Sequence, residues 1–595
     1  MWEGYLFYIS WLDWSYVLRE NENMCGIVGI LNKKGENAVP LVETMLSCLA
    51  CRGPDGAGIA TEEQIVQADS LDDMRGDDLQ SSSIALGHVR LAIVGGTCGE
   101  QPFKSCSRRF IVEHNGEIYN YKKLRKKLSK RHKFTTETDS EVIVHLFEDH
   151  FAKTGNLLTA IRRSVLELDG VYAFVIRDQE TGVIALVRDI MGVRQLYYEE
   201  NENFVGFASE RKALWKIGLK EPTRRVHPGC AVVINRDGST EEHTVAKPIL
   251  SQKKIAFKTY ASAVDAYKKS LISSMKKRAQ DFDRIGIIFS GGIDSVIIAW
   301  LAKRMVREVI CYTGGVEGSS DIAFARKIAK KLNLKLRVNE LTYDEVEEMI
   351  PEVINTIEDN NAGQVEVAIP VYAAVKLAHE DGIKVMFSGQ AADELFGGYS
   401  WYSKIVGMIG KGKGYQTLRK YMNEDIKLLY KETLEREDKI TMAHSIEMRE
   451  PFLDLNLIRL STQIDLRLNV KGISDTFGKH VHRKLAQALG IPREIAYRSK
   501  EAAQHGSGIH QAIDLIARKH GYDASTTSAM YLDLLKYRER VGSSQRYGYL
   551  FENEKKQMWI AEPHVQMYLD SISTLQPAAE QQDVIATPAQ IISHR

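Results

Sequence analysis

The segment that most constrains the fold of this chain is Ser290–Ser295, which reads Ser-Gly-Gly-Ile-Asp-Ser. It follows Ile285–Phe289, which we predict to be a buried strand, and precedes Ser295–Val306, which we predict to be a helix. Two glycines after a strand let backbone N–H groups approach an anion closely, and the positive end of the following helix points at the same place. We therefore expect this turn to bind phosphate groups, through Ser290, Gly291, Gly292, Asp294 and Ser295.

The sequence around this turn alternates between strand and helix patterns. Further strands are predicted at Val309–Thr313, Lys335–Glu340 and Ile383–Phe387, with helical segments between them and onward to about residue 570. This alternation is typical of a doubly wound α/β domain with a parallel sheet.

A second polar cluster, Ser388–Tyr399, follows the strand Ile383–Phe387 and contains Asp393. The carboxyl ends of parallel strands border one crevice, so Asp294 and Asp393 are candidates to share a magnesium ion on a pyrophosphate group. The alternative is that both aspartates are solvated loop residues.

The first half of the chain has a different pattern. Short strands punctuated by turn residues, among them Gly35, Asn115–Gly116 and Asp237–Gly238, run from Met24 to about residue 240, with few helices. We predict a layered α+β domain there. Cys25 opens the first strand directly after Met24. If Met24 is removed, the α-amino group of Cys25, with a reference pKa near ~8, becomes a general base beside its own thiol.

Bulk properties exclude several classes of protein. Among 595 residues, 79 Lys and Arg balance 78 Asp and Glu, which argues against a dedicated nucleic-acid binder. Seven cysteines are too few and too scattered for a secreted disulfide framework. Cys48 and Cys51 form a single CxxC pair, for which buried packing competes with a metal or redox site. No apolar run is long enough for a membrane span, and the first 23 residues do not read as a secretory signal, so we predict a cytoplasmic protein.

Four motifs after Cys25 resemble those of the class II glutamine amidotransferases, which are N-terminal-nucleophile hydrolases. The motifs are Arg52–Asp55, His88–Leu91, Asn115–Asn120 and Thr138–Glu141. The resemblance implies an αββα sandwich. It also implies that Cys25 attacks the side-chain amide of glutamine, with Asn115 and Gly116 stabilising the oxyanion. Glutamine itself would be held by Arg90, Asn115, Glu117 and Asp139.

The order of a glutaminase and an SGGxDS domain resembles the asparagine synthetase family over about residues 24–570. Met442–Asp454 and Gly478–His480 match later motifs of that family. We divide the chain into an N-terminal extension (1–23), an amidotransferase domain (24–245), a linker (246–258), an ATP pyrophosphatase domain with a helical C-terminal part (259–570) and a flexible tail (571–595).

The resemblance also implies the second reaction. Aspartate and ATP would form β-aspartyl-AMP and pyrophosphate, and ammonia arriving through an internal tunnel would displace AMP to give asparagine. Lys479 would stabilise the pyrophosphate, with Mg²⁺ on Asp294 and Asp393. ATP would contact Ile288, Ser290, Gly291, Gly292, Asp294, Ser295, Thr313, Ser388 and Gly389. Glutamine, aspartate and ATP are the implied partners, with neither nucleic acid nor membrane; family members are often dimers, which leaves a homodimer open.

Three departures from the family pattern affect these expectations. Residues 1–23 precede Cys25, so we expect translation to begin at Met24 or the segment to be removed; otherwise only free ammonia is used. Gln390 stands where many members have a glutamate that accepts a proton. Gln364 and Glu366 stand where bacterial relatives have threonine and arginine, which leaves the acceptor acid open.

Three other interpretations compete with asparagine synthesis. A related amidotransferase would adenylate a different carboxylate, and a silent relative would serve regulation. A tRNA-modifying ATP pyrophosphatase would need a basic RNA-binding appendage, which the charge balance does not suggest.

Overall fold

The computed structural model describes residues 25–53, 55–74, 79–90, 99, 101–220, 223–250, 255–409, 411–498, 503–523 and 563–575. The predicted extension (1–23) and most of the predicted tail lie outside these ranges, as do residues 251–254 of the predicted linker.

The first half contains two antiparallel sheets. Its strands are β1 (Gly26–Asn32), β2 (Ala57–Ala60), β3 (Ile65–Ala68), β4 (Ile84–Val89), β5 (Phe103–Lys104), β6 (Phe110–Ile118), β7 (Gly170–Asp178), β8 (Ile184–Arg188), β9 (Tyr197–Glu200), β10 (Phe204–Ala208), β11 (Arg224–Arg225), β12 (Cys230–Ile234) and β13 (Thr240–Thr244). The first sheet has the order β11-β9-β10-β1-β4-β2-β3, and the second has the order β13-β12-β8-β7-β6-β5.

Helices cover the outer face of each sheet. They are α1 (Val39–Ser47), α2 (Tyr121–Leu128), α3 (Glu141–Thr154), α4 (Leu157–Glu167) and α5 (Arg211–Lys216). Ile27 of the first sheet and Val175 of the second belong to one apolar core between the sheets. Met45 of α1 packs outside the first sheet, and Phe147 of α3 packs outside the second. Because alternate strand residues face the two layers, the result is the αββα sandwich that the family resemblance implies.

The prediction that Asn115 and Gly116 form a turn is wrong, because both lie inside β6. The pairing of β6 with β7 continues through them, with Gly116 opposite Tyr172. Gly116 has a φ of +147°, and a Cβ there would lie 2.1 Å from the carbonyl oxygen of Val171. Gly116 is needed because the two strands approach each other closely at this position. In the sequence alone, a glycine required for such an approach looks the same as a glycine in a turn.

The second half contains a five-stranded parallel sheet of β14 (Arg284–Ile288), β15 (Glu308–Val316), β16 (Lys335–Leu341), β17 (Val385–Phe387) and β18 (Glu447–Arg449). The strand order is β16-β15-β14-β17-β18, and all neighbours pair in parallel. After β14 the chain adds β15 and β16 on one side of the sheet and then β17 and β18 on the other, so the switch point lies between β14 and β17. Cys311 and Tyr312, adjacent in β15, belong to separate apolar cores, so both faces of the sheet are covered. The doubly wound parallel sheet is confirmed.

Helices of this half surround the sheet. They are α6 (Tyr260–Ala279), α7 (Ile293–Ala302), α8 (Ser320–Leu332), α9 (Tyr343–Ile357), α10 (Ala362–Glu380), α11 (Ala392–Phe396), α12 (Ser400–Ile409), α13 (Lys411–Leu429), α14 (Glu435–Ala443), α15 (Leu455–Gln463), α16 (His480–Ala488), α17 (Arg493–Ala496), α18 (Ala503–Gly506), α19 (Ile509–Lys519) and α20 (Pro563–Ile572). Over the described ranges, none of the helices has the combination of length and apolarity that a bilayer span needs.

The strand β18 corrects the expectation of continuous helix after Ser388–Tyr399. Its three residues are Glu447, Met448 and Arg449, all buried, and they pair in parallel with β17. A strand with two charged residues lacks the apolar signature of a buried strand. The ion pair between Glu447 and Arg449, with Nε and Oε1 2.8 Å apart, satisfies their buried charges.

Candidate active sites

The first site is built around Cys25, at the end of the first sheet. Cys25 directly precedes β1, where Gly26 pairs with Val89, so it lies beside the end of β4 and next to Arg90. Arg90 is 2% exposed. The Nε of Arg52 donates to the carbonyl oxygen of Cys25 at 3.1 Å. The nucleophile predicted from sequence is thus held by its backbone near the predicted carboxylate-binding arginine.

Asn115 reaches this region from the second sheet. His88 on β4 and His114 on β6 link the two sheets, with 3.1 Å between His88 Nε2 and His114 O. Asn115 is 1% exposed, and among the described residues its Nδ2 has no hydrogen-bond partner. An unsatisfied buried amide donor is costly, and it is what an oxyanion site requires before substrate binds.

Two carboxylates follow Asn115 in the predicted glutamine site. The Oδ2 of Asp139 accepts a hydrogen bond from the backbone N–H of Ile118 at 2.8 Å, which places Asp139 beside Glu117. Burial and the neighbouring charge of Asp139 raise the pKa of Glu117, and burial also raises the pKa of Asp139. Glu117 forms an ion pair with Arg449 of β18 at 3.1 Å. The sequence did not predict this contact between the two halves.

The second site lies where the strand order of the parallel sheet reverses. The Ser290–Ser295 turn follows β14, and Gly389 follows β17. Gly291 has a φ of +68°, a backbone conformation that favours glycine. A Cβ on Gly389 would lie 3.0 Å from the backbone nitrogen of Ser295. The two loops therefore meet at the N-terminus of α7, as the crevice rule for parallel sheets predicts.

Asp294, Asp393 and Lys479 form one charged cluster in this crevice. The Nζ of Lys479 lies 2.8 Å from each carboxylate oxygen of Asp294 and 2.9 Å from Asp393 Oδ1. Although burial opposes it, the two carboxylates raise the pKa of Lys479, which therefore stays charged. His482, which the sequence reading missed, contributes Nε2 at 3.0 Å from Asp294. The structure thus brings together the predicted lysine and both predicted magnesium ligands.

The remaining predicted nucleotide residues border the same crevice. Ile288 is the last residue of β14, Thr313 lies within β15 and is 5% exposed, and Ser388 follows β17. The backbone N–H of Ser388 donates to Arg449 O at 3.1 Å.

Helix α14 lies between the two sites and contacts both. Asp438 accepts from Arg52 at 3.3 Å, the same arginine that binds Cys25. Its neighbour Glu437 accepts from the Ser388 hydroxyl at 3.2 Å and from the side-chain amide of Gln390. The sequence predicts helix here but not its burial or its contacts with both sites, because a run of charges such as 435–439 is usually a solvated face. All five of these residues are buried.

The three residues that depart from the family pattern have hydrogen-bond or ion-pair partners in the structure. Gln390 donates to Glu437, a carboxylate whose pKa is raised by burial. Gln364 accepts a hydrogen bond from Arg436 on α14, and Glu366 Oε1 lies 3.0 Å from His510 Nδ1.

Cys48 and Cys51 carry free thiols, and neither belongs to a cluster of metal-ligand type within the described ranges. Burial raises the pKa of the Cys51 thiol.

An αββα sandwich opened by a cysteine, followed by a parallel sheet with paired phosphate loops, defines a glutamine-dependent, ATP-cleaving synthetase. The family model for the glutamine amidotransferase domain matches residues 72–227, and the model for asparagine synthase matches residues 266–410 and 410–570. The chain belongs to the asparagine synthetase family.

Individual relatives agree with this assignment. The chain is 34% identical to a Methanocaldococcus jannaschii protein assigned as glutamine-hydrolyzing asparagine synthetase 1, over 86% of this chain and 99% of that one. It is 28% identical to glutamine-hydrolyzing asparagine synthetase 2 of Arabidopsis thaliana, over 86% of this chain and 84% of the other. A solved glutamine phosphoribosylpyrophosphate amidotransferase from B. subtilis is 22% identical, with a TM-score of 0.33 over 49% of this chain and 67% of that one.

Proposed function

We propose that this protein makes asparagine from aspartate and ATP, using ammonia released from glutamine. The observation that carries the proposal is the position of α14. Through Asp438 this helix contacts the arginine that holds Cys25, and through Glu437 it contacts the loop after β17. One buried helix therefore touches both candidate sites, as expected where two half-reactions exchange an intermediate. The other support is the family, whose named relatives are glutamine-hydrolyzing asparagine synthetases.

In the first site the Cys25 thiol attacks the side-chain amide of glutamine. Once the residues before Cys25 are removed, its free α-amino group takes the thiol proton and returns it to the departing ammonia, which leaves a γ-glutamyl thioester that water hydrolyses. The orphan Nδ2 of Asn115 and the N–H of Gly116 stabilise the oxyanion. Arg90 binds the α-carboxylate of glutamine. The buried carboxylates of Glu117 and Asp139 bind its α-ammonium group.

In the second site the β-carboxylate of aspartate attacks the α-phosphorus of ATP, and pyrophosphate leaves. The residues fit a magnesium ion, because Asp294 and Asp393 converge on the single Nζ of Lys479 and offer the oxygen ligands that Mg²⁺ prefers. Bound there, Mg²⁺ supplies charge neutralisation for phosphate oxygens. Lys479 stabilises the negative charge of the leaving pyrophosphate. The Ser290–Ser295 turn binds phosphate, and Ile288, Thr313, Ser388 and Gly389 border the adenosine.

Arg436 supports aspartate as the acceptor acid. The family resemblance implies an arginine in bacterial relatives where this chain has Glu366, and in this protein the guanidinium of Arg436 on α14 donates to the nearby Gln364. We propose that Arg436 provides the cation that binds a carboxylate of aspartate. Arg436→Lys should then raise the KM for aspartate more than the KM for ATP.

Glu437 supports the final step, in which ammonia attacks β-aspartyl-AMP and AMP leaves. Gln390 cannot accept a proton, but its amide donates to Glu437. Burial raises the pKa of Glu437 and so makes it a better proton acceptor than an exposed carboxylate. We propose that Glu437 takes the proton that the family's glutamate otherwise takes.

The test is the stoichiometry of the complete reaction with amide-labelled [¹⁵N]glutamine, aspartate and MgATP. We expect equal amounts of glutamate, [¹⁵N]asparagine, AMP and pyrophosphate. Asp438→Asn should keep glutamine hydrolysis while less label reaches asparagine. Pyrophosphate release with another acid and not with aspartate would reject asparagine synthesis. A lack of ATP cleavage with every acid would indicate a silent relative.

A further inference from the structure

A cluster of four side chains in the first half has the composition of a metal site. Its members are Cys106, His132, His145 and Glu148, and one ligand atom of each lies within 4.8 Å of all the others. Cys106 lies in the turn between β5 and β6, His132 lies between α2 and α3, and the other two lie on α3. None of the four belongs to either candidate active site.

The distances match a small tetrahedral ion. The Cys106 Sγ lies 3.8 Å from His145 Nδ1, and His132 Nδ1 lies 3.2 Å from Glu148 Oε2. Bond lengths of about 2.0–2.3 Å to a tetrahedral zinc ion put neighbouring ligand atoms about 3.3–3.6 Å apart. These two distances lie near that range and every other pair of ligand atoms lies within 4.8 Å, so side-chain adjustment can close the four groups around one ion.

Both histidines are oriented for binding through Nδ1. The Nε2 of His145 lies 3.4 Å from Glu141 Oε1, and the Nε2 of His132 lies 3.1 Å from Asp149 Oδ1. A carboxylate on the far nitrogen fixes the tautomer and turns the other nitrogen toward a metal. Glu141 is itself held by the backbone N–H of Thr135 at 2.7 Å. The cluster thus has the outer shell of ligand-orienting groups that metal sites have.

One atom in the cluster independently indicates a ligand. The side chain of His132 is 8% exposed, and its buried Nδ1 lies 3.2 Å from Glu148 Oε2 without forming a hydrogen bond with any described residue. The rings of His132 and His145 are stacked with centroids 4.8 Å apart, which holds both in place. The approach of His132 Nδ1 to Glu148 lacks hydrogen-bond geometry, and a metal ion bound between the two atoms would satisfy both of them.

We propose that Cys106, His132, His145 and Glu148 bind one structural Zn²⁺ ion. A thiolate with two imidazoles and one carboxylate suits a borderline-soft divalent cation such as zinc. The ligand set fills four positions, so the site is closed. Binding releases the thiol proton of Cys106 to solvent. The ion would link residues 132–141 to α3 and to the β5–β6 turn and so restrict their motion.

Metal content is the first measurement, on full-length protein without a histidine tag. After dialysis against zinc and gel filtration, we expect one zinc per chain by mass spectrometry. Cobalt in its place should give the thiolate-to-metal absorption of a tetrahedral cysteine site. Less than about 0.2 zinc per chain, or a cobalt spectrum without the thiolate band, would overturn the proposal.

Variants then locate the site. Cys106→Ser and His145→Gln should each weaken zinc binding at least about 100-fold, and Asp149→Ala, which releases His132, about 10- to 100-fold. The matched control is Cys48→Ser, which removes a thiol of the CxxC pair and should keep full zinc content. Equal zinc binding by Cys106→Ser and wild type would reject the assignment, and loss in Cys48→Ser would move the site to the CxxC pair.

Hydrogen exchange tests the structural role without using activity. In wild-type protein, zinc should slow exchange of amides in residues 132–141 at least fivefold, while the β12–β13 hairpin stays unchanged. Unchanged exchange near the cluster would reject the structural role even if zinc binds.

Discussion

The two candidate sites differ in whether their buried polar groups have partners. In the first, the Nδ2 of Asn115 is buried and has no hydrogen-bond partner in the described part of the chain. In the second, Lys479 pairs with both Asp294 and Asp393 at 2.8–2.9 Å, which offsets one of their two negative charges. The first site keeps a donor ready, whereas the second keeps its charges paired.

The difference follows from the substrates that we propose. Glutamine hydrolysis develops one negative charge on an oxygen that begins neutral, so a fixed and unoccupied donor gains its hydrogen bond mainly in the transition state. ATP is already charged before it reacts, so a site that binds it contains charged side chains. Because an unpaired buried charge is costly, these side chains need partners of opposite charge while the site is empty. On the proposed mechanism, phosphate groups and a metal ion would replace these contacts of Lys479 when the nucleotide binds.

The largest effect should come from Cys25→Ala, which should abolish the reaction of the first site and leave the reaction of the second unchanged. Loss of the nucleophile should reduce glutamine-dependent synthesis on the order of 10⁶-fold. Synthesis from ammonium salts should stay within about twofold, because the second site is untouched. Asparagine formation from each nitrogen source measures this, with Cys230→Ala as the buried-cysteine control. Equal loss of both activities would contradict a division into two sites.

Asp294→Asn tests the second site alone. It removes a proposed magnesium ligand and one of the charges that pair with Lys479, so pyrophosphate release should fall at least about 10³-fold with either nitrogen source. Glutamine hydrolysis should persist. The control is Asp283→Asn, an aspartate with an 81% exposed side chain near the start of β14. Normal pyrophosphate release by Asp294→Asn would remove this carboxylate from the reaction.

Asn115→Ala tests whether the orphan donor in the first site is catalytic. We expect the kcat for glutamine hydrolysis to fall about 10²- to 10³-fold with little change in KM, because the donor acts on the oxyanion. Asn235→Ala, in the exposed turn after β12, is the control. A rise in KM with unchanged kcat would mean that Asn115 binds the ground state equally well.

Glu437→Gln tests the last step in the second site. Loss of the proton acceptor should slow asparagine formation about 10²-fold, while exchange of pyrophosphate into ATP continues, since adenylation precedes ammonia attack. Burial raises the pKa of Glu437, so in wild-type protein the step should weaken as pH falls through that raised value. The variant should lose this acid limb. Parallel loss of pyrophosphate exchange would assign Glu437 to nucleotide binding instead.

The sequence predicted the second site better than the first. Phosphate loops depend on local order, strand then glycines then helix, so Ser290–Ser295 could be placed from neighbouring residues alone. Where the two loops meet also follows from the topology of a parallel sheet. Asn115–Gly116 was misread as a turn, because the reason for Gly116 is the backbone of β7, which lies far away in sequence.

The contacts between the two halves were not predictable from local patterns. Glu437 and Asp438 stand in a charged run that resembles a solvent-facing helix, and only the long-range partners Arg52 and Ser388 explain their burial. The same applies to the Glu117–Arg449 pair. The Cys106 cluster was missed for a similar reason, since its four members are spread over 43 positions of the sequence and show no ligand spacing.

The smallest effect should come from titration of Asp139, which tests whether the first site binds glutamine through an ionised carboxylate. Burial raises the pKa of Asp139, so it gains a proton at a higher pH than an exposed aspartate does. Because only the ionised form attracts the α-ammonium group of glutamine, the KM for glutamine should rise about tenfold as pH falls through that raised value. Asp139→Asn should have a high KM at every pH, and ammonia-dependent synthesis should show no such change. A pH-independent KM in wild-type protein would mean that Asp139 does not bind the ammonium group, and the first site would then depend on Glu117 despite its pairing with Arg449.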